Sequence, residues 1–164
     1  MNDSKYDFHF AVKEMVPAGD TYDYIIVKKD YLCLALPADH PMADDENVDF
    51  SKLKDERFIS ASESDGPGLY KSIMNICAKY DYTPNVICQY DRAEAVLLSV
   101  GAGLGIGIVP EALGSVFYNK NVKLIRIPDK ESLRTYIVAW KKDLTNPAAR
   151  QFLSVVRELY GEDK

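Results

Sequence analysis

Three serines ahead of a helix are the first residues in this chain whose types and spacing could do chemistry. Ser60, Ser62 and Ser64 precede Gly66-Pro67-Gly68, and a helical pattern begins at about Leu69. Hydroxyl donors beside the unpaired N–H groups and positive dipole end of a helix make an anion cradle, suited to a carboxylate. Plain capping by Ser64 or Asp65, with no ligand at all, accounts for the same composition. Arg92, after Asp91 at the head of a second helical pattern, carries the planar fork that grips a carboxylate through two parallel hydrogen bonds. Its duller alternative is a surface pair with Asp91, Glu94 or Glu63. Val109-Pro110, followed by Glu111, ends an apolar strand where a ligand would meet the sheet and forms the opposite wall of such a site.

Catalysis finds no support among the remaining reactive residues. His40 sits between Asp39 and Pro41, remote from His9, and reads as a loop-ordering residue rather than a metal ligand or pH sensor. There is no Ser-His-Asp signature, nucleophile elbow or P-loop, so no catalytic residue, metal or cofactor is expected. Cys33, Cys77 and Cys88 have neither metal-ligand spacing nor an even count, and read as buried reduced thiols inside a strand, a helix and a strand. With 25 acidic against 20 basic side chains among 164 residues, the chain lacks the electropositive face of an autonomous nucleic-acid binder. No apolar run is long enough to span a bilayer and no leader opens the sequence, so no membrane contact and a cytoplasmic location are expected.

The elements that must position these residues alternate between strand and helix. In Ala95 to Pro110, apolar Val96, Leu97 and Val100 have helical spacing, Gly101 and Gly103 mark where that helix stops, and Gly105 and Gly107 alternate with Ile106 and Ile108. One face of the following strand is thus bare backbone, to be covered by a neighbouring helix, approached by a ligand at the strand end, or both. The order helix, glycines, strand is the reverse of a dinucleotide fingerprint. Strands are expected at Phe8 to Val12, Tyr24 to Lys29, Tyr31 to Leu36, Arg57 to Ala61, Val86 to Tyr90, Ile106 to Val109, Lys123 to Ile127 and Thr135 to Trp140. Asp49 opens a helical turn, and Leu69 to Tyr80 is a helix burying Leu69, Ile73, Met74, Ile76 and Cys77. Glu111 to Phe117 is a further helix. Asn146 caps the last one, with Pro147 at its first position and Phe152, Val155, Val156 and Leu159 on its apolar side. Strand–helix–strand order from Tyr31 to Val109 predicts an α/β fold with a mostly parallel sheet, whose ligands bind at strand carboxyl ends.

Four segments carry a resemblance: Leu32 to Ala43 around His40-Pro41, Phe50 to Ile59, Gly101 to Pro110, and Val138 to Lys142 ahead of Pro147-Ala148. In this order they resemble the effector-binding, or substrate-binding, domain of LysR-type transcriptional regulators over essentially the whole chain. The resemblance implies a periplasmic-binding-protein type II fold, in which two α/β lobes close on a small molecule. It further implies a ligand-sensing role in transcription regulation, a homodimer, and DNA contact only through a winged helix-turn-helix that this chain lacks. The chain departs from the family at its front, where neither that module nor the first strand–helix–strand unit of lobe I is found. On this reading residues 31–138 are a complete lobe II, and residues 1–30 with 139–164 are a remnant of lobe I. The helix from Leu69 to Tyr80 is then the expected dimer contact, and strand edges left bare in lobe I are prone to pairing. A solute-binding or enzymatic protein of the same fold acting without DNA, or a dimerisation fragment, are the alternatives.

Overall fold

In chain order the elements are β1 (Phe8–Val12), β2 (Tyr22–Pro37), β3 (Arg57–Ala61), α1 (Pro67–Ala78), β4 (Asn85–Tyr90), α2 (Ala93–Gly101), β5 (Ile106–Pro110), α3 (Ala112–Val116), β6 (Val122–Arg126), β7 (Leu133–Lys141) and α4 (Pro147–Tyr160). Short 3-10 turns lie at Lys13–Met15, Phe50–Leu53 and Lys130–Ser132. This computed structural model describes residues 6–17, 19–45, 47–64 and 67–161. The chain forms two units, one of Asp30–Leu133 and one of Met1–Lys29 with Arg134–Lys164. β2 and β7 therefore each run from one unit into the other.

In the Asp30–Leu133 unit the strand order is β6-β2-β5-β3-β4. β3 is parallel to β4 and to β5, while β2 is antiparallel to β5 and β6, so four strands share one direction and β2 alone opposes them. The unbroken apolar run of β2 follows from cover on both faces. Leu32, Leu34 and Leu36 join Phe58, Ile106 and Ile108 against Ile73, Ile76 and Cys77 of α1. Ala35, on the other face, lies with Ile59 and Val109 under Val96, Leu97 and Val100 of α2. That second layer explains the glycine strand. A Cβ at Gly107 would come 2.8 Å from Val96 Cγ1 and 3.1 Å from the Ile59 carbonyl oxygen, and one at Gly105 would collide with the Arg57 carbonyl. The neighbouring helix is thus what covers the bare face. α2 stops at Gly101, and the left-handed residue that turns the chain is Gly103, at φ +74°.

In the other unit, β1 pairs antiparallel with β7, placing Phe8 opposite Trp140 and Phe10 opposite Val138, and β7 lies beside β2. α4 starts where the sequence indicates: the Asn146 side chain accepts from the Ala148 N–H at 3.1 Å, with Pro147 following. The same amide donates to Asp7 at 2.8 Å.

Two expectations are corrected. β2 is one strand of 16 residues, not two. Asp30, which looked like a break, stays in the strand because its buried carboxylate accepts from the Ala112 N–H at 3.3 Å. On α4 the buried ridge is Ala149, Leu153 and Val156, whereas Phe152, Val155 and Leu159 are 42%, 50% and 67% exposed. Two apolar ridges share one helix, and periodicity alone does not say which one meets the sheet.

Ile73, Ile76 and Cys77 are buried on α1, with Met74 half-buried. Asp49 caps its turn by accepting from the Ser51 N–H at 3.0 Å. His40 orders its loop: Nδ1 accepts from the Met42 N–H at 3.2 Å, and Nε2 lies 3.4 Å from Glu56 Oε1. Cys33 and Cys77 are buried thiols, while Cys88 is only half-buried; all three are free. No helix among the described residues is long and apolar enough to cross a membrane.

Candidate functional site

Parallel β3, β4 and β5 end at one edge of the Asp30–Leu133 sheet, and the chain turns there into α1, α2 and α3. Ala61 on β3 is in register with Tyr90 on β4, and Ile59 with Gly107 on β5. The Ser62 N–H donates to the Tyr90 carbonyl at 2.8 Å, which carries the pairing one residue past β3. Continuing the β3–β5 register brings Ser62 beside Pro110. Strand alternation sets Ser60, Ser62 and Pro110 on the α1 face of the sheet, and Ala61 and Val109 on the α2 face.

The predicted residues divide by what their side chains can offer. Ser60 is buried, and its hydroxyl donates to the Ala61 carbonyl at 3.0 Å. Ser62 and Ser64 sit further out, with hydroxyl oxygens 2.7 Å apart and the Ser64 N–H donating to Ser62 Oγ at 3.2 Å. This turn leads toward α1. Asp65, the other expected cap, lies outside the described residues. Arg92 is the N-cap of α2, in extended backbone with φ −130° and ψ 136°. Its side chain is exposed, and among the described residues no acidic group forms an ion pair with it, so the pairing with Asp91, Glu94 or Glu63 is not found. Val109 is fully buried in the layer under α2. Of the expected wall, only Pro110 presents side chain at the edge.

The sequence reading missed a polar cluster on the same edge. β6 runs with β5 and ends at Arg126, whose guanidinium holds Glu111 through both carboxylate oxygens, at 2.8 and 2.7 Å. Arg126 also lies over the Tyr31 ring, 4.4 Å from its centre. The Glu111 hydrogen bond and charge hold Arg126 above the ordinary arginine pKa. The Glu111 N–H in turn donates to the Tyr31 carbonyl at 2.8 Å. Residues 15 apart with no shared periodicity gave no sequence signal; only strand direction unites them. Arg126 is therefore neutralised, and Arg92 is left as a guanidinium with no ion pair among the described residues.

This arrangement can bind and orient an anion. Among the described residues no three His, Cys, Asp or Glu groups converge as a metal site.

The relatives agree with an effector-binding architecture. The family described as LysR substrate binding domain matches residues 4–161. An uncharacterized HTH-type transcriptional regulator of Escherichia coli K12, YnfL, is 28% identical over 134 residues, which are 81% of this chain and 45% of the relative. The chain spans about half the length, or somewhat less, of the curated regulators it matches. Among solved structures, the CcmR regulatory domain of Synechocystis PCC6803, in complex with 2-PG, superposes with a TM-score of 0.80 at 19% identity, covering 97% of this chain and 76% of that one. The effector binding domain of QuiR, in complex with shikimate, gives 0.77 at 22% identity, with 97% and 74% covered. These structures show the fold, the type II periplasmic-binding-protein fold of LysR effector-binding domains. With nearly every residue from 4 to 161 matched to one domain family and the α/β topology in agreement, the chain belongs to the LysR substrate-binding domain family.

Proposed function

We propose that this chain is the ligand-sensing regulatory part of a LysR-type transcription factor, and that it holds a small anionic effector at the carboxyl edge of the Asp30–Leu133 sheet. That unit is lobe II, and Met1–Lys29 with Arg134–Lys164 is the remnant of lobe I. The observation that carries the reading is the shared edge, where three parallel strands end together and bring Ser62, Pro110 and Arg92, which has no ion pair among the described residues, to the heads of two helices. A carboxylate there gains from the α1 N–H groups, the helix dipole and a forked charge-assisted bond to Arg92. Ser62 and Ser64 supply hydroxyls, Ser60 and Val109 hold the edge from beneath, and Pro110 forms the opposite wall. Shikimate, the ligand in the QuiR complex, is itself a carboxylate, which supports this choice of chemistry.

Effector occupancy then controls DNA binding by a winged helix-turn-helix that belongs to the parent protein and not to this chain. Sensing of this kind needs no cofactor, metal or catalytic step, and it takes place in the cytoplasm, in homodimers, where the regulated DNA lies.

Titration of the isotopically labelled chain with small carboxylates, shikimate among them, tests the site by NMR. A single lobe leaves the ligand partly in water, so Kd is on the order of 1 mM. Amide shifts centred on residues 60–69 and on Arg92 are expected. Shifts confined to residues 38–45 would overturn the assignment.

A further inference from the structure

We propose that a cavity of about 190 Å³ between α2, α3 and β6 is a second ligand site, and that it takes an uncharged single-ring aromatic molecule carrying one carbonyl oxygen. Its walls are Leu97 of α2, Phe117, Tyr118 and Asn119 behind α3, and Val122 and Leu124 of β6. The register of β6 on β2 sets Leu124 opposite Ala35 and Val122 opposite Pro37, on the sheet face that α2 covers. Two glycines make the room. A Cβ at Gly114 would come 2.6 Å from Leu124 Cδ1, so its absence lets α3 approach β6, and a Cβ at Gly101 would collide with Asn119 Nδ2. α3 buries none of its residues, and Phe117 and Tyr118 are 45% and 87% exposed, so both rings keep uncovered surface at the cavity.

The lining selects the ligand. None of the described lining residues carries a charge, so an ionised ligand would lose its hydration with no partner in return. Leu97, Val122 and Leu124 present only carbon, and a bound water needs about two to four polar partners, more than these side chains provide. An apolar cavity of about 150 Å³ holds benzene. The larger space here therefore fits one six-membered ring with a small substituent, against which Phe117 and Tyr118 can stack or set their edges. Asn119 fixes what the substituent is. Its Oδ1 accepts from the Asn121 N–H at 3.0 Å, which occupies the carbonyl and identifies the NH2 group, and that NH2 has no hydrogen-bond partner among the described residues. A carbonyl oxygen on the ring is the acceptor it lacks. The cavity shares no residue with the anion site, so the two sites stand or fall separately.

NMR titration of the isotopically labelled chain with acetophenone tests this, with toluene as the same ring lacking the carbonyl. Saturable amide shifts centred on Leu97 and residues 113–124 are expected, with Kd on the order of 1 mM and weaker binding of toluene. Asn119→Asp keeps an oxygen for the Asn121 N–H while replacing the NH2 group by a second acceptor. It should weaken acetophenone about fivefold or more and leave toluene unaffected. Val122→Phe puts a ring of the chain's own into the cavity and should abolish binding of both. Amide spectra of the two variants should overlay that of the parent away from residues 97–124. Absence of saturable shifts at these residues in the parent would overturn the site, and so would binding that survives Val122→Phe. Equal affinity for acetophenone and toluene, or indifference to Asn119→Asp, would overturn the assignment of the carbonyl.

Discussion

Arg92 has an exposed guanidinium, no acidic partner among the described residues, and a position at the head of a helix. A hydrogen bond to a charged group contributes about 1.5–3 kcal/mol, so Arg92→Leu should raise Kd for a bound carboxylate roughly 10- to 100-fold. Affinity for the matching neutral amide should not change, and paired NMR titrations of the two ligands decide the point. The buried thiols lead to a different expectation. Burial, aided by the Glu111 charge, pushes the Cys33 thiol up to about 12. Burial likewise raises Cys77 and the Tyr82 hydroxyl. The unfolded chain gives up the Cys33 proton first, so between pH about 9 and about 12 it binds fewer protons than the folded chain. Stability should therefore decline as pH rises through that window, by about 1 kcal/mol per pH unit for Cys33, with Cys77 and Tyr82 acting in the same direction. Urea midpoints at pH ~8 and ~10.5 measure the slope, and equal midpoints would refute it.

At the scale of elements, β5 shows what glycine does here. At Gly105 the obstacle to a Cβ is the backbone carbonyl of Arg57, which has nowhere to retreat, whereas at Gly107 it is chiefly the Val96 side chain. Gly105→Ala should therefore cost more, about 3 kcal/mol against about 1 kcal/mol for Gly107→Ala, as read from chemical denaturation. This segment was legible because alternating glycine and isoleucine leaves few alternatives to a strand under a helix. Asn146-Pro147 was legible for the same reason, since side-chain cap and fixed φ agree. The continuity of β2 was hidden, because Asp30 reads as punctuation until Ala112, 82 residues away, supplies its N–H. At the proposed site, Ser62 and Arg92 stood out in the sequence because each lies ahead of a helix. The Arg126–Glu111 pair could not, since strand order brings it together and no local pattern does. The burial of Val109 was equally hidden, because alternation in a strand covered on both faces does not say which face a ligand can reach.

For the molecule as a whole, charge decides what it can approach unaided. A net charge of −5 and a pI near 5.1 oppose the phosphate contacts that drive DNA affinity. The isolated chain should give no sequence-dependent, salt-sensitive mobility shift; such a shift would show a DNA surface within these residues. The division of the chain has a further bearing on how the protein is made. Asp30–Leu133 is one uninterrupted stretch, whereas the other unit is assembled from both ends, with β1 waiting for β7 and α4. On the ribosome the central unit can close while the tail is still being synthesised. β1, although translated before the central unit, stays without β7 and α4 until residues 133–160 have emerged. Until then Phe8 lacks its contacts with Trp140 and Phe152, so the rate at which that later segment is synthesised sets how long β1 is open to wrong strand partners.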